Sequence, residues 1–440
     1  MDILFYVLSA LCGLVILFLL FLMFWQVLFV FIPRKEKGFK GDGKQRRFAI
    51  IIPAHNEESV IANSLERLKN DLDYPKDLYD IFVCADNCTD STFALAKEAG
   101  VIVYERHEDD PEKKRAAFPI QLLINEVLNS EKGYDAIVKF DADNIPSKNF
   151  LEEMNRALGD GVEICRAHES SSNLGQNCWT QVAGVYYARD SRLACNFRER
   201  AGWNSMLSGA GMMVAVPLLR ELGGWDAMSA IDDAEFAVKR MLEGKRIHYA
   251  SKAIVYEDQP STRKDSANRN ARMGNALAKL YWKDGKRLFG KFFKTGKVTY
   301  LDIFSQLSFV PIPMILGISI GVYAAFFYTT LILQACGIAI YPEYLFTSGL
   351  GGSAFFAIIV SLIAIGGFLL LFYILWTYQS FLGVYLDRKI LGKNWWKDSW
   401  KGVIFGAFLM AAYSVSITSG VSKKKVRWVA IKRNSPSDKR

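Results

Sequence analysis

The sequence predicts an α/β domain built on a doubly wound, mostly parallel sheet, joined to an α-helical transmembrane region. Between residues 46 and 262, short β-branched runs alternate with amphipathic stretches, which is the pattern of consecutive βαβ units. Long blocks without a charged residue lie on both sides of this region, and Lys and Arg crowd beside them. The 440-residue chain can therefore hold one soluble domain and several membrane spans.

The predicted strands are short apolar runs, and several of them end in polar residues. They are residues 48–52, 81–85, 101–104 and 136–140, with helices predicted at 59–70, 91–99 and 116–128. In doubly wound sheets, ligands bind at the carboxyl ends of the strands. Here those ends carry residues 55–58, 86–87 and 141–143, all polar or acidic except Ala142. The sequence therefore predicts a binding site at this edge of the sheet.

Several function classes are disfavoured. The chain has neither a Gly-x-Gly-x-x-Gly motif after its first strand nor a Walker loop. Its seven cysteines include no CxxC pair, which favours reduced thiols over a zinc site. The net charge of +9 comes from clusters beside the apolar blocks, so nucleic acid is not an expected partner. The apolar blocks carry no charges that would mark an ion path, which argues against a channel.

Four charge-free blocks predict the membrane region. They are residues 3–32, 303–336, 346–381 and 402–421, and about 20 apolar residues suffice for a spanning helix. The first block is too long for a signal peptide and is interpreted as a retained anchor, residues 1–33. The later blocks define a transmembrane and interfacial helical region at 301–422, followed by a basic cytosolic tail at 423–440. The positive-inside rule then places the soluble domain in the cytosol of a multi-pass plasma-membrane protein.

Two segments leave the topology open. Residues 263–300 are basic and dotted with aromatics, so they are either interfacial helices on the membrane surface or the last solvated helix of the domain. If residues 402–421 crossed once, the basic tail would lie outside, against the positive-inside rule. We therefore expect 402–421 to bend back or to pack re-entrantly, which returns the tail, with Trp428, to the cytosolic face.

Two acidic clusters carry the predicted chemistry. Asp141 and Asp143 follow a buried strand, where two carboxylates can reach a hard cation such as Mg²⁺ or Mn²⁺ together with phosphate oxygens. Asp232, Asp233 and Glu235 stand at the predicted start of a helix. They either complement the positive end of that helix or supply a general base.

The order of these motifs resembles the family 2 glycosyltransferases, the group that includes cellulose, hyaluronan and poly-N-acetylglucosamine synthases. The resemblance covers about residues 48–274. The matching pieces are residues 52–58 (IPAHNEE), 85–90 (ADNCTD), 141–143 (DAD), 223–226 (GGWD), 232–233 (DD) and 258–260 (DQP).

The resemblance implies an inverting enzyme of the GT-A fold, a metal-dependent hexosyltransferase that uses a nucleotide sugar, with UDP-sugars expected. It implies Asp233 as the catalytic base and Asp143 as the ligand of Mg²⁺ or Mn²⁺. The implied nucleotide-sugar contacts are Ala54, Glu57, Asp86, Lys114, Asp141 and Arg272. The implied acceptor contacts are Gly209, Trp225, Asp232 and Arg269.

Two departures from the family pattern shape the functional alternatives. Asp232-Asp233 replaces the usual Glu-Asp, and the family's Gln-x-x-Arg-Trp motif reads Arg269-Asn-Ala-Arg272-Met273. In the synthases the missing Trp stacks on the acceptor sugar, so Met273 favours transfer of a single sugar to a lipid-linked acceptor. The long C-terminal apolar region favours extension of a growing polysaccharide, which can be coupled to its secretion, and this is the leading prediction from the sequence. A catalytically silent nucleotide-sugar-binding partner is the alternative from another class.

Overall fold

A computed structural model gives the structure of the protein for residues 35–110, 112–308 and 354–421, with a few separate positions in the first two apolar blocks. Most of the predicted anchor 1–33, residues 309–353 of the predicted membrane region, and the tail 423–440 with Trp428 lie outside the described residues. The strands are β1 (Phe48–Ala54), β2 (Tyr79–Asp86), β3 (Ile102–Arg106), β4 (Ala136–Lys139), β5 (Ile145–Pro146), β6 (Ile164–Ser171), β7 (Met212–Ala215) and β8 (His248–Glu257).

The eight strands form one sheet in the order β3-β2-β1-β4-β7-β6-β8-β5. Ladders β1–β2, β1–β4 and β2–β3 are parallel, as the alternating pattern predicts. The crossovers contain the predicted helices, which the structure places at α1 (Ile61–Asn70), α2 (Thr92–Glu98) and α3 (Ala117–Asn129). The predicted strand and helix positions in this half are confirmed, and the polar strand ends meet at one edge.

The second half of the sheet is mixed, so the prediction of a mostly parallel sheet is wrong there. Strand β7 is antiparallel to both β4 and β6, β5 is antiparallel to β8, and only β6–β8 is parallel. Strands β6 and β7 are buried along their whole length. An all-buried strand carries no alternating pattern, and its direction is set by the connection that leads to it rather than by its own residues.

Helices cover the sheet on both faces. They are α4 (Phe150–Gly159), α5 (Cys178–Arg189), a π-helical segment Asp190–Cys195, α6 (Asn196–Ala201), α7 (Val216–Glu221) and α8 (Asp232–Glu243). The predicted helix start at Asp232 is confirmed. One apolar cluster contains Ile51, Ile137 and Phe236, and a second contains Ile50, Ile52 and Phe150. Alternate residues of β1 thus enter different clusters, which is the period-2 arrangement of a strand covered on both faces.

Helix α9 (Arg263–Thr295) is continuous and joins α10 (Val298–Leu307). Leu280 and Leu288 of α9 and Ile303 of α10 belong to the same apolar cluster as Phe236. Residues of this segment therefore pack against the α/β domain. Their placement on a membrane surface stays a prediction.

The remaining described helices are α11 (Ala354–Leu386), α12 (Arg388–Leu391) and α13 (Trp400–Val421). Within the described part of the chain, one segment, Gly366–Leu386, is long and apolar enough to cross a membrane. Helix α13 is an unbroken helix of 22 residues, so no bend is observed inside 402–421. Whether α13 crosses a bilayer stays a prediction.

Candidate active site

The ends of β1 and β2 hold two strained asparagines. Asn56 and Asn87 adopt φ angles of 55° and 50°, in the left-handed region that non-glycine residues seldom occupy. Their side-chain oxygens accept hydrogen bonds from the backbone N–H groups of Thr89 and Glu108, both at 2.8 Å. Such strained positions cluster at binding sites, where the surrounding structure holds them in place. The two loops are thereby locked together at the predicted site edge.

Three of the predicted nucleotide-sugar contacts lie at this edge. Ala54 is buried and pairs with Ala85 across the ladder. Glu57 is half-buried, and its N–H donates to Thr92 Oγ1 at 2.8 Å. Asp86 is buried, and its Oδ1 accepts hydrogen bonds from Arg106 and from the Asn87 amide. Arg106 thus already holds the Asp86 carboxylate before any donor binds.

Lys139 occupies the centre of the site, and the sequence prediction missed it. Its ammonium donates to Asp141 Oδ1 at 2.8 Å and to the backbone oxygen of Gly209 at 3.0 Å. A Cβ at Gly209 would lie 2.7 Å from Lys139 Nζ and 3.6 Å from Asp233 Oδ2. A larger residue at Gly209 would displace the lysine ammonium, and the present contact joins the two predicted acidic clusters.

Asp232 and Asp233 begin α8 and face the same lysine. Burial, and then the charge of Asp233, raise the pKa of Asp232, and burial also raises the pKa of Asp233. Two adjacent carboxyls of this kind titrate as a pair. Oδ2 of Asp232 is buried and, among the described residues, accepts no hydrogen bond. The pair can therefore accept a proton at higher pH than ordinary carboxylates, as a general base requires.

The neighbouring carboxylates in turn affect the pKa of Lys139. Burial alone would lower the pKa of Lys139, but the charges of Asp141, Asp232 and Asp233 outweigh it and raise that pKa. The ammonium therefore stays charged at neutral pH. It holds the acidic clusters together without neutralising all of them, so the site keeps an excess of negative charge.

Asp143 lies beside a second carboxylate that the sequence prediction missed, Glu257 at the end of β8. Asp143 is 3% exposed. Burial raises the pKa of Glu257 to about 8, against the opposing charge of Arg269 and with further raising by Asp143 and Asp141. Such a concentration of oxygen donors and negative charge suits Mg²⁺ or Mn²⁺.

Within the described ranges, no three His, Cys, Asp or Glu side chains form a complete ligand set. Mg²⁺ usually takes part of its ligand shell from phosphate oxygens, so a single protein carboxylate can suffice for it. The role of Asp143 as the metal ligand stays a prediction.

Helix α9 brings the Arg-x-x-Arg-Met segment to the same side. Arg269 donates to Gln259 Oε1 at 3.1 Å and lies 3.7 Å from Glu257 Oε1. The Arg that replaces the family Gln is thus engaged with the end of β8. Arg272 is half-buried on α9, while Met273 is 42% exposed, so no aromatic side chain stands at the position of the family Trp.

Two predicted site residues are not brought into this cluster. Trp225 is 2% exposed and stacks on Phe236 with ring centroids 4.3 Å apart. This burial argues against stacking of a sugar on the indole, and an acceptor contact of Trp225 stays a prediction. Lys114 is exposed in the loop between β3 and α3.

The residues that the prediction missed had weak signals. Lys139 is a charged residue inside the apolar run 136–140, which marks a strand that needs an internal partner for its ammonium. Tyr187, whose hydroxyl donates to Glu257 Oε2 at 3.0 Å, had no signal at all, because it lies 70 positions away in sequence.

The site can now be compared with known proteins. Residues 45–276 match the model of the glycosyltransferase-like family 2, and this stretch is more than half of the chain. The chain belongs to this family. The broad resemblance seen in the motifs is confirmed, whereas the narrower likeness to cellulose and hyaluronan synthases is not shown.

Relatives of this family 2 protein include the "Probable glycosyltransferase YdaM" of Bacillus subtilis, 26% identical over 248 residues, covering 52% of this chain and 54% of that protein. The beta-monoglucosyldiacylglycerol synthase of Synechocystis is 26% identical over 219 residues, covering 48% and 44%. The match thus spans about half the length of these relatives.

A solved structure extends the likeness beyond the catalytic domain. The mannosyltransferase PcManGT from Pyrobaculum calidifontis, in complex with GDP-Man and Mn²⁺, aligns with a TM-score of 0.54 at 16% identity. The alignment covers 94% of this chain and 97% of that one. At this identity the match establishes the GT-A-like fold and nothing about substrate.

Proposed function

We propose that this family 2 protein is an inverting glycosyltransferase that adds a single sugar, from a nucleotide-sugar donor, to the hydroxyl group of a lipid at a membrane surface. The observation that carries the proposal is the convergence of Asp141 and Asp233 on Lys139, at the carboxyl ends of the strands. The candidate base, Asp233, therefore lies close to Asp141, on the side of the site where the diphosphate is predicted to bind.

The reaction follows from this arrangement. Asp233 takes the proton of the acceptor hydroxyl. The acceptor oxygen attacks the anomeric carbon at the same time, and the bond from that carbon to the diphosphate breaks. Asp143 would hold Mg²⁺ or Mn²⁺, which would supply positive charge opposite the departing diphosphate. Arg272 and Lys114 are proposed to bind the same diphosphate, and Ala54, Glu57 and Asp86 the nucleoside. Gly209 and Asp232 are proposed to line the acceptor side.

Two observations support a lipid acceptor over a polysaccharide. Met273 leaves the position of the stacking Trp without an aromatic ring. Relatives include two described as acting on lipids, a beta-monoglucosyldiacylglycerol synthase and a dolichyl N-acetyl-α-D-glucosaminyl phosphate glycosyltransferase of Methanococcus voltae. A hydroxyl acceptor needs a general base, whereas a phosphate acceptor is already ionised, so Asp233 favours the hydroxyl. The candidate span Gly366–Leu386 supports membrane attachment.

The test uses the full chain purified in detergent. It is incubated with a panel of UDP- and GDP-sugars and with diacylglycerol, a polyprenyl phosphate or an oligosaccharide, and the products are identified by mass spectrometry. One sugar added to diacylglycerol is expected, with inversion at the anomeric carbon. Long polymers would establish the polysaccharide alternative, and nucleotide-sugar binding without transfer to any acceptor would establish the silent partner.

A further inference from the structure

We propose that a cleft between α5, α11 and α13 binds the phosphate group of an anionic membrane lipid through Arg189. We call it the Arg189 cleft, and it is lined by Tyr186, Arg189, Trp376, Ser380, Gly402 and Gly406. The inference rests on the proposed membrane attachment, but it does not depend on the transfer reaction.

The guanidinium of Arg189 lies over two aromatic rings, closely over one and more distantly over the other. Its central carbon lies 3.7 Å from the ring centroid of Trp376 and 5.6 Å from that of Tyr186. Stacking occupies the faces of a guanidinium and leaves its N–H donors, which all lie in the plane, at the edges. A planar fork of donors held in this way matches the oxygens of a phosphate group.

Among the described residues, no carboxylate lies within ion-pair distance of Arg189, whereas the neighbouring Arg166 and Arg198 each have one. The adjacent Asp190 pairs instead with Arg166 at 2.8 Å and with Arg198 at 3.9 Å. Burial lowers the pKa of Arg189, and the charges of Tyr186 and Asp190 oppose this only in part. Donors withdrawn from water without acceptors are costly, so a bound anion would stabilise this arrangement.

The surroundings favour a lipid as the source of that anion. Trp376 and Ser380 belong to the candidate span, where Leu370 is 58% and Ile374 is 52% exposed. Phe408 on α13 is 65% exposed. A lipid chain can lie along these apolar side chains while its phosphate lies at the mouth of the cleft. Residues 387–401, from the end of α11 to the first turn of α13, expose further cations and an aromatic side chain suited to an anionic membrane surface, namely Lys389, Lys393, Trp396, Lys397 and Lys401.

Two glycines of α13 shape the cleft. A Cβ at Gly402 would lie 2.5 Å from the backbone oxygen of Gln181, so α13 can approach α5 only with glycine there. Gly406 faces Trp376 Nε1, which would lie 3.6 Å from a Cβ. The cleft is too small to hold a whole lipid, so only phosphate oxygens at its mouth would reach Arg189. It therefore suits recognition of the phosphate, with the rest of the lipid outside.

The experiment measures lipid retention without any nucleotide sugar. Full-length protein is reconstituted in nanodiscs of phosphatidylcholine with phosphatidylglycerol, re-extracted, washed in detergent, and assayed for bound lipid by quantitative mass spectrometry. Wild type should retain phosphatidylglycerol, and Arg189→Gln should reduce it roughly tenfold or more, as loss of charge-assisted hydrogen bonds predicts. Arg388→Gln is the matched control, because Arg388 stacks on Tyr385 at 4.3 Å in the same junction but donates to the Tyr385 backbone oxygen. It should retain phosphatidylglycerol as wild type does.

Other outcomes would overturn the proposal. Equal losses in both variants would mean general surface charge, and no loss in Arg189→Gln would mean that Arg189 binds no lipid. Displacement of the lipid by millimolar inorganic phosphate would make free phosphate the ligand. If Arg189→Gln does not fold, Arg189→Lys, which keeps the charge but not the fork, should show a several-fold loss. Wild type that retains no lipid at all would refute the membrane attachment, whereas failed sugar transfer would leave the lipid result standing.

Discussion

Two clusters of buried charge in this protein are balanced differently. Around Lys139 at the catalytic edge stand three carboxylates, those of Asp141, Asp232 and Asp233. At the junction with the apolar helices, by contrast, Asp387 contacts both His168, at 3.0 Å, and Arg192. The first cluster has an excess of negative charge, and the second has enough cationic and hydrogen-bonding partners for its carboxylate.

The unbalanced cluster suits the proposed reaction, whereas the balanced one attaches the apolar helices to the rest of the protein. Asp387 and Asp302 are both fully buried, and Asp302 is paired with Arg198 at 2.8 Å and accepts from Trp25 of the first apolar block at 3.0 Å. These satisfied contacts fix the apolar helices to β6, the π-helical segment and α6. The unbalanced cluster at Lys139 instead suits a proton and a cation, which the proposed reaction supplies.

Replacing Asp233 gives the largest expected effect on the catalytic cluster. Asp233→Asn should lower the transfer rate by roughly 10²–10⁴-fold, because the base is lost, while donor binding is nearly unchanged. Steady-state rates with calorimetric donor binding provide the measurement. Glu243→Gln, at the far end of the same helix, is the control and should be neutral. Near-full turnover of Asp233→Asn would show that another group takes the proton.

Replacing Asp387 tests the balanced cluster. Asp387→Asn should destabilise the fold by about 3–5 kcal/mol, because a buried ion pair loses one charge while Arg192 stays in place. Thermal or denaturant unfolding measures the loss, and transfer per folded molecule should be retained. A variant that keeps its stability but loses activity would move Asp387 into the catalytic machinery.

Replacing Asp143 tests the proposed metal ligand. Asp143→Ala should lower activity by at least roughly 10–100-fold, the loss typical of disturbed metal sites, and should weaken Mn²⁺ binding. Activity and Mn²⁺ titrations of wild type and variant give the comparison, with Asp160→Ala, far from the site edge in sequence, as the control. Full transfer by the wild type in excess chelator would remove the metal from the proposal.

Replacing Lys139 tests how the unbalanced cluster is tuned. A base must be deprotonated to work. Because the pKa values of Asp232 and Asp233 are raised, the acid limb of the pH profile, where activity falls at low pH, should lie above the pH at which ordinary carboxyls titrate. Lys139 lowers these pKa values, so Lys139→Met should move the limb upward by about 1 pH unit. The pH profile of kcat/KM measures it, with the exposed Lys148→Met as the control. An unmoved limb would mean that Lys139 only positions the Gly209 loop.

The smallest expected effect concerns Met273. If the missing aromatic ring at this exposed position is what prevents polymerisation, Met273→Trp should lengthen the products from one sugar to short chains. Product length by mass spectrometry decides it, with Met273→Leu as the control. Unchanged product length would mean that binding of the acceptor depends on other residues.

Local sequence was informative where the structure depends on neighbouring residues. The strand at Phe48–Ala54, the helix starting at Asp232 and the acidic pair Asp141 and Asp143 were all predictable, because β-branched runs, helical spacing and polar strand ends act within a few residues. The parallel order of β1 to β4 followed from the short crossovers between them. The family resemblance rested on these same local motifs.

Tertiary structure decided what depends on distant residues. The antiparallel direction of β7 depends on the long connection from β6, the burial of Trp225 on its stacking with Phe236, and the neighbours of Lys139 on a loop 70 positions away. His168 and Asp387 meet across 219 positions. Sequence periodicity reports which face of an element is buried, but not which distant charge will lie against it. For that reason the sequence by itself determined the elements and their acidic ends, and only the folded chain determined how their charges are balanced.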